Sequence, residues 1–248
     1  MDWSLLLFAG IGFVAQLFDG AIGMGFGLIS YTVLTGMGYP KAVVSASVNG
    51  AKMFTGAIAG FAHIRQQNVD WPMLWLLAAG GVAGAVVGAL ALINLPHDWL
   101  TPVINGYLVI VGIIILWRSG HAMPHVTTPV RTAGVGVAGG VLEALSGVWG
   151  PLVTSNLVAM GSIPRYVVGS VTVAEAIVAV AVFTMLVGHV GVENLSRAVL
   201  GLLLGAILAA PLAARLTRQI PKRLLMIAVG LLVIATSGFR LIRFYIGG

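Results

Sequence analysis

Four ionisable side chains lie inside long apolar stretches of this sequence: Asp19, Lys52, Glu143 and Glu175. In a membrane-spanning segment each such group is costly to insert, so each needs a partner or a function. A lysine ammonium can hold an anion, and a carboxylate can bind and release a proton. We therefore predict that these four residues form the functional site. The three acids would couple transport to another ion or balance the buried charge.

Two of these acids, Asp19 and Glu143, are followed closely by glycines. The glycines that we assign to a substrate site are Gly23, Gly25 and Gly150. Without side chains they let backbone N–H groups approach a ligand, and a helix that restarts after them presents bare N–H groups that suit an anion. The alternative is that these glycines serve close packing between helices.

Lys52 and Glu175 occupy corresponding positions in two apolar stretches, and three interpretations stay open. The two can form a structural ion pair, Lys52 can hold an anionic substrate while an acid carries a coupling proton, or Lys52 can pair with Asp19 or Glu143. The polar residues that we assign to substrate binding beside Lys52 are Ser47, Asn49, Ser170 and Thr172. Hydroxyls in membrane helices also bond back to their own helix.

The composition places this chain in a lipid bilayer. It is 59% hydrophobic and 8% charged, with a mean hydropathy of +1.04, whereas water-soluble domains carry about 25% charged residues. Apolar runs near 20 residues recur, the length needed to cross about 30 Å of hydrocarbon. We expect eight to ten helical segments and an all-α membrane protein.

Several function classes are disfavoured by the same sequence. The pI of about 10.2 reflects basic residues spread over short loops, which is typical of membrane topology signals rather than nucleic-acid binding. Cysteine is absent, which excludes disulfides and Cys-ligated zinc. The chain contains neither HExxH nor a nucleophile elbow. We expect no enzyme activity, no metal and no cofactor.

The second half of the chain repeats the first. A shift of 124 residues aligns Asp19 with Glu143 and Pro40 with Pro164, and a one-residue slip then aligns Lys52 with Glu175. Acids, prolines and basic residues carry this alignment, since matches among apolar residues are expected by chance. The sequence predicts two repeats, residues 1–117 and 132–248, joined by a linker at 118–131.

Each repeat begins with a long stretch that glycines interrupt near its middle, at 3–35 and 132–160. As one helix, the first stretch would extend about 50 Å, too long for one straight crossing. A hairpin of two short helices meeting inside the bilayer fits better, with its exposed backbone buried or lining a cavity. Three ordinary spans follow in each repeat, at 41–63, 71–95 and 99–117 and at 165–187, 196–216 and 222–242.

The loop charges orient these spans. If each hairpin returns to its starting side, one membrane face collects eight basic residues and the other four; a single crossing gives six on each. The positive-inside rule favours the hairpins and places both termini outside. Each repeat then crosses an odd number of times, so the repeats are inverted, a transporter design with its site at the midplane between broken helices.

The motifs of both halves resemble the TauE/SafE family of sulfite and organosulfur-anion exporters over nearly the whole chain. The matching segments are 17–24, 45–48, 68–70, 146–155, 164–165, 169–171 and 174–175. The resemblance implies a bacterial inner-membrane carrier that exports small sulfur oxyanions or sulfonates. The chain departs from the family's pattern at Asn49 and Lys52, where related sequences often carry His and an acid.

Together these features predict a secondary transporter for a small sulfur-containing anion such as sulfite or sulfoacetate, with possible proton coupling. The alternative is an ion channel or a cation or metal carrier that uses the buried acids. The sequence leaves the oligomeric state open, because lipid-facing and partner-facing apolar surfaces have the same composition.

Overall fold

The computed structural model describes residues 3–22, 25–118, 128–160, 162–216 and 222–246, which are almost entirely helical and contain no strand. The helices are α1 Trp3–Ile22, α2 Phe26–Gly36, α3 Lys41–Arg65, α4 Trp71–Asn94, α5 His97–Arg118, α6 Pro129–Ser146, α7 Gly150–Ala159, α8 Pro164–Val190, α9 Ser196–Leu216 and α10 Lys222–Ile246. A 3₁₀ turn, Val192–Asn194, joins α8 to α9. The all-α prediction is confirmed.

The first stretch of each half is broken where the glycines predicted. Helix α1 ends at Ile22 and α2 begins at Phe26, whereas α6 ends at Ser146 and α7 begins at Gly150. Gly147 follows α6 with φ +68 and donates its N–H to the Glu143 carbonyl. This left-handed C-cap is the conformation that glycine adopts at low cost, and it ends the helix.

The helices pair across the two halves. Helix α1 packs on α9 and α4 packs on α6, while α3 packs on α8 and α5 packs on α10. Helix backbones approach closely at glycines: a Cβ on Gly205 would collide with the Ala9 carbonyl, and one on Gly84 with the Val137 carbonyl. Small residues at such crossings permit tight packing in lipid.

If the chain is duplicated, α1 corresponds to α6 and α4 corresponds to α9. The contact of α1 with α9 is then equivalent to the contact of α6 with α4, and both are present. The inverted orientation of the repeats and their boundaries stay predictions. Helix α6 already begins at Pro129, inside the proposed linker, and residues 119–127 of that linker lie outside the described residues.

Two helices among the described residues are long and apolar enough to cross a membrane, Trp71–Asn94 and Arg165–Val190. Large apolar side chains also cover much of the outer surface: Ile58 is 68% exposed and Leu208 is 66% exposed. An apolar exterior of this extent suits contact with lipid rather than with water.

Candidate functional site

Lys52 lies between two carboxylates inside the helix bundle. Its Nζ is 2.6 Å from Glu143 Oε1 and 2.6 Å from Glu175 Oε1. Lys52 is buried and Glu143 is completely buried, whereas 23% of the Glu175 side chain is exposed. The structure therefore combines two of the open interpretations, because Lys52 pairs with Glu175 and with Glu143 at once. We call these three residues the ion triad.

Close helix packing brings the triad together. A Cβ on Gly56 of α3 would lie 3.1 Å from the Ala176 Cβ of α8, so the two helices touch one residue away from Glu175. On the other side, Ser45 of α3 donates its hydroxyl to the Ala144 carbonyl of α6 at 2.6 Å, next to Glu143. These contacts fix α3 between the two helices that supply the carboxylates.

The two helix breaks meet beside the Lys52 ammonium. A Cβ on Gly27, in the first turn of α2, would collide with the Gly147 carbonyl and lie 2.8 Å from Lys52 Nζ. A Cβ on Gly147 would in turn lie 3.0 Å from the Gly27 carbonyl. Only glycine fits at this contact, so the backbones of the two helix breaks meet beside one positive charge.

Asp19 caps the second helix of its own break. Its Oδ1 accepts hydrogen bonds from the N–H groups of Gly25, at 2.7 Å, and Phe26, at 3.1 Å. A carboxylate at a helix N-terminus is stabilised by these donors and by the helix dipole. The N–H of Gly25, expected to face a ligand, is thus taken by Asp19.

Several buried polar atoms near the triad have no hydrogen-bond partner. Asn49, one turn before Lys52 on α3, donates its amide to the Ser45 carbonyl at 3.0 Å, but its Oδ1 is unpaired. The Ser47 hydroxyl and Glu143 Oε2 are also unpaired. Because buried polar groups are nearly always satisfied, each of these atoms is a candidate to bind a polar ligand or water, and Asn49 Oδ1 and an ionised Glu143 Oε2 can only accept a hydrogen bond.

Helix α2 adds polar groups that the sequence reasoning missed. The hydroxyls of Ser30, Tyr31 and Thr32 are buried and have no partner. The sequence signal that could have identified them is the run of three consecutive hydroxyl side chains in a short apolar helix.

The remaining predicted residues lie in other surroundings. The Ser170 hydroxyl accepts from the Asp70 N–H at 2.8 Å and contacts the Asp70 carbonyl at 3.2 Å, so it fastens α8 to the start of α4. Thr172 bonds back to the Val168 carbonyl of its own helix at 2.8 Å. Gly150 is buried at the first position of α7, and Gly23 lies outside the described residues.

The connection between α3 and α4 is tied to α8. Arg165 donates to the Asn68 side chain and, at 2.9 Å, to the Gln66 carbonyl. A Cβ on Gly169 would collide with the Asn68 carbonyl. Together with the bonds between Ser170 and Asp70, these contacts join the two halves at one end of the bundle.

Residues 8–240 match the family described as sulfite exporter TauE/SafE. The chain belongs to this family. It is also 35% identical over 202 residues to the probable membrane transporter protein YtnM of Bacillus subtilis (strain 168), covering 78% of this chain and 67% of that protein. No solved structure matches. This TauE/SafE protein is therefore a multi-pass membrane transporter and not an enzyme.

Proposed function

We propose that this TauE/SafE protein is a secondary transporter for a small sulfur-containing anion, with its site at the ion triad between the two helix breaks. The observation that carries this proposal is the single Lys52 ammonium held at the contact of Gly27 with Gly147. A buried ammonium at the place where two helix breaks meet offers positive charge to an oxyanion. The sulfur chemistry and the outward direction come from the family description.

The contacts within the ion triad indicate how such an anion would bind. Glu143 and Glu175 occupy the Lys52 ammonium in this conformation, so an anion must replace at least one carboxylate oxygen. Asn49 lies about one turn before Lys52 on the same helix and would donate its second amide N–H to the anion. Ser47 lies on another side of this helix and would support the site. Gly25, Gly150, Ser170 and Thr172 would act as supports for the site rather than as direct ligands.

Alternating access in this proposal uses two inverted repeats in the bacterial inner membrane, with both termini on the outer side. The pairing of α1 with α9 and of α4 with α6 supports two equivalent halves. The contacts of Arg165 and Ser170 with residues 66–70 would then close one end and open as the halves rock.

A cation or metal carrier or channel is the second candidate. One lysine faces Glu143 and Glu175, so the fully ionised triad has more negative than positive charge. That excess favours a cation or a proton over an anion unless protons accompany the anion.

Flux into proteoliposomes tests the proposal. We expect the purified protein to accelerate entry of thiosulfate, sulfite or sulfoacetate above the rate in protein-free liposomes, and Lys52→Met to remove this flux. The conservative Lys52→Arg keeps the charge and should retain part of the flux. Equal rates with and without protein for every sulfur anion, together with uptake of a monovalent or divalent cation, would replace our proposal by the second candidate.

A further inference from the structure

We infer that Glu175 is the residue that couples transport to protons, and that the anion and one proton cross the membrane in the same direction. This inference rests on the proposed anion site at Lys52. It adds which of the three acids exchanges the proton and the sign of the coupling, neither of which follows from family membership.

Charge balance at the triad requires a proton. Lys52 provides one positive charge for the carboxylates of Glu143 and Glu175, while the charge of Asp19 is matched by two backbone donors at the start of α2. Adding an anion would leave three negative groups around one ammonium in a buried site, which is prohibitively costly. If one carboxylate takes up a proton, the anion can take its place at the ammonium.

The geometry selects Glu175 for this exchange. Glu143 is completely buried, and the bond from Ser45 to Ala144 holds its helix turn against α3. The side chain of Glu175 is 23% exposed and that of Glu143 is not exposed, so Glu175 is the more accessible of the two acids to a proton while Lys52 stays paired with Glu143. Protonation of Asp19 would weaken the cap of α2, because a carboxylate accepts its two backbone hydrogen bonds more strongly than the neutral acid does.

The surroundings of Glu175 contain few other groups that could take this role. Helix α3 contributes Lys52 and, towards its end, His63, whose Nδ1 lies 3.5 Å from the Asn68 amide. Helix α6 contributes Glu143, and α1 contributes Asp19. Helices α4 and α7 contain no ionisable residue, and Glu193 follows the far end of α8.

The exchange can be written as a balanced step. A proton adds to the Glu175 carboxylate, and the neutral acid releases Lys52 Nζ. The anion then accepts the freed N–H of Lys52, while Glu143 remains as its counter-ion; release runs in reverse. Because the proton favours anion binding, the anion favours proton binding by the same factor. A divalent anion leaving with one proton carries net negative charge, so an inside-negative potential drives it outward.

Binding measured against pH tests this inference on the full-length protein. Thiosulfate and sulfoacetate serve as probes, because neither forms the permeant gas that sulfite does. For the wild type we expect one proton to be taken up per anion bound, and the Kd to rise about tenfold per pH unit where Glu175 is deprotonated. In Glu175→Gln the Kd should be independent of pH, with anion exchange retained and pH-driven accumulation lost.

Glu193→Gln is the matched control, since Glu193 is an exposed acid beyond the same helix, and it should keep the wild-type slope. Anion binding by the wild type without proton uptake would overturn the inference and leave the proposed function intact. A wild-type slope in Glu175→Gln, or a slope lost only in Glu143→Gln, would assign the proton elsewhere. If Glu175→Gln does not fold, the absence of proton uptake by the wild type, or a slope lost in Glu143→Gln, would still overturn the inference. No binding of any sulfur anion would remove the proposed function itself.

Discussion

The contact between the two helix breaks makes Gly27 the most sensitive glycine beside the ion triad. An alanine Cβ at this position would collide with the Gly147 carbonyl and lie 2.8 Å from Lys52 Nζ. Neither neighbour can move freely, because Gly147 is backbone in a left-handed conformation and Lys52 is held by two carboxylates. The breaks must therefore separate, or the triad must shift.

Overpacking of this kind costs about 1–3 kcal/mol. For a chain of this size 1 kcal/mol corresponds to about 2–4 °C in Tm, so Gly27→Ala should lower the Tm by roughly 2–12 °C. The measurement is thermal unfolding in detergent at fixed protein and detergent concentration. Anion flux should fall as well, because the ammonium no longer lies at the contact of the two breaks.

Gly10→Ala in α1 is the matched control, since a Cβ there meets nothing within 4 Å. Alanine is favoured over glycine inside a helix by about 0.5–1 kcal/mol, so this variant should be as stable as the wild type or slightly more stable. Wild-type Tm and wild-type flux in Gly27→Ala would refute the contact between the breaks and the placement of the site there.

Three further experiments each test one contact. Ser45→Ala should cost about 1–3 kcal/mol, because it leaves the buried Ala144 carbonyl without its donor, and chemical denaturation would measure it; no loss would contradict the clamp between α3 and α6. Asp19→Ala should cost about 0.5–2 kcal/mol through the lost cap of α2, whereas Asp19→Asn should recover part of that stability. A double-mutant cycle on Arg165 and Asn68 should give a coupling energy of at least about 0.5 kcal/mol; additive effects would show that this contact does not join the halves.

Local pattern was sufficient for the helices of this protein. Apolar runs of about 20 residues predicted membrane spans, and two of the predicted starts, Trp71 and Ser196, are the first residues of helices in the structure. The breaks after Ile22 and Ser146 followed from glycines, because helix termination depends on the conformation of a few neighbouring residues. The need for partners at Lys52, Glu143 and Glu175 also followed, since a charged residue type within a long apolar run is by itself a sign of a costly buried charge.

Which atoms satisfy those charges was decided by tertiary structure alone. Lys52 and Glu143 are 91 residues apart in the sequence, and the Ser170 hydroxyl meets the backbone of Asp70 from 100 residues away. Ser47 and Ser170 occupy corresponding positions in the repeat, yet Ser47 is unpaired and Ser170 is bonded. A repeat in sequence fixes residue types, whereas the partner of each side chain depends on how helices from different halves pack, which no local pattern encodes.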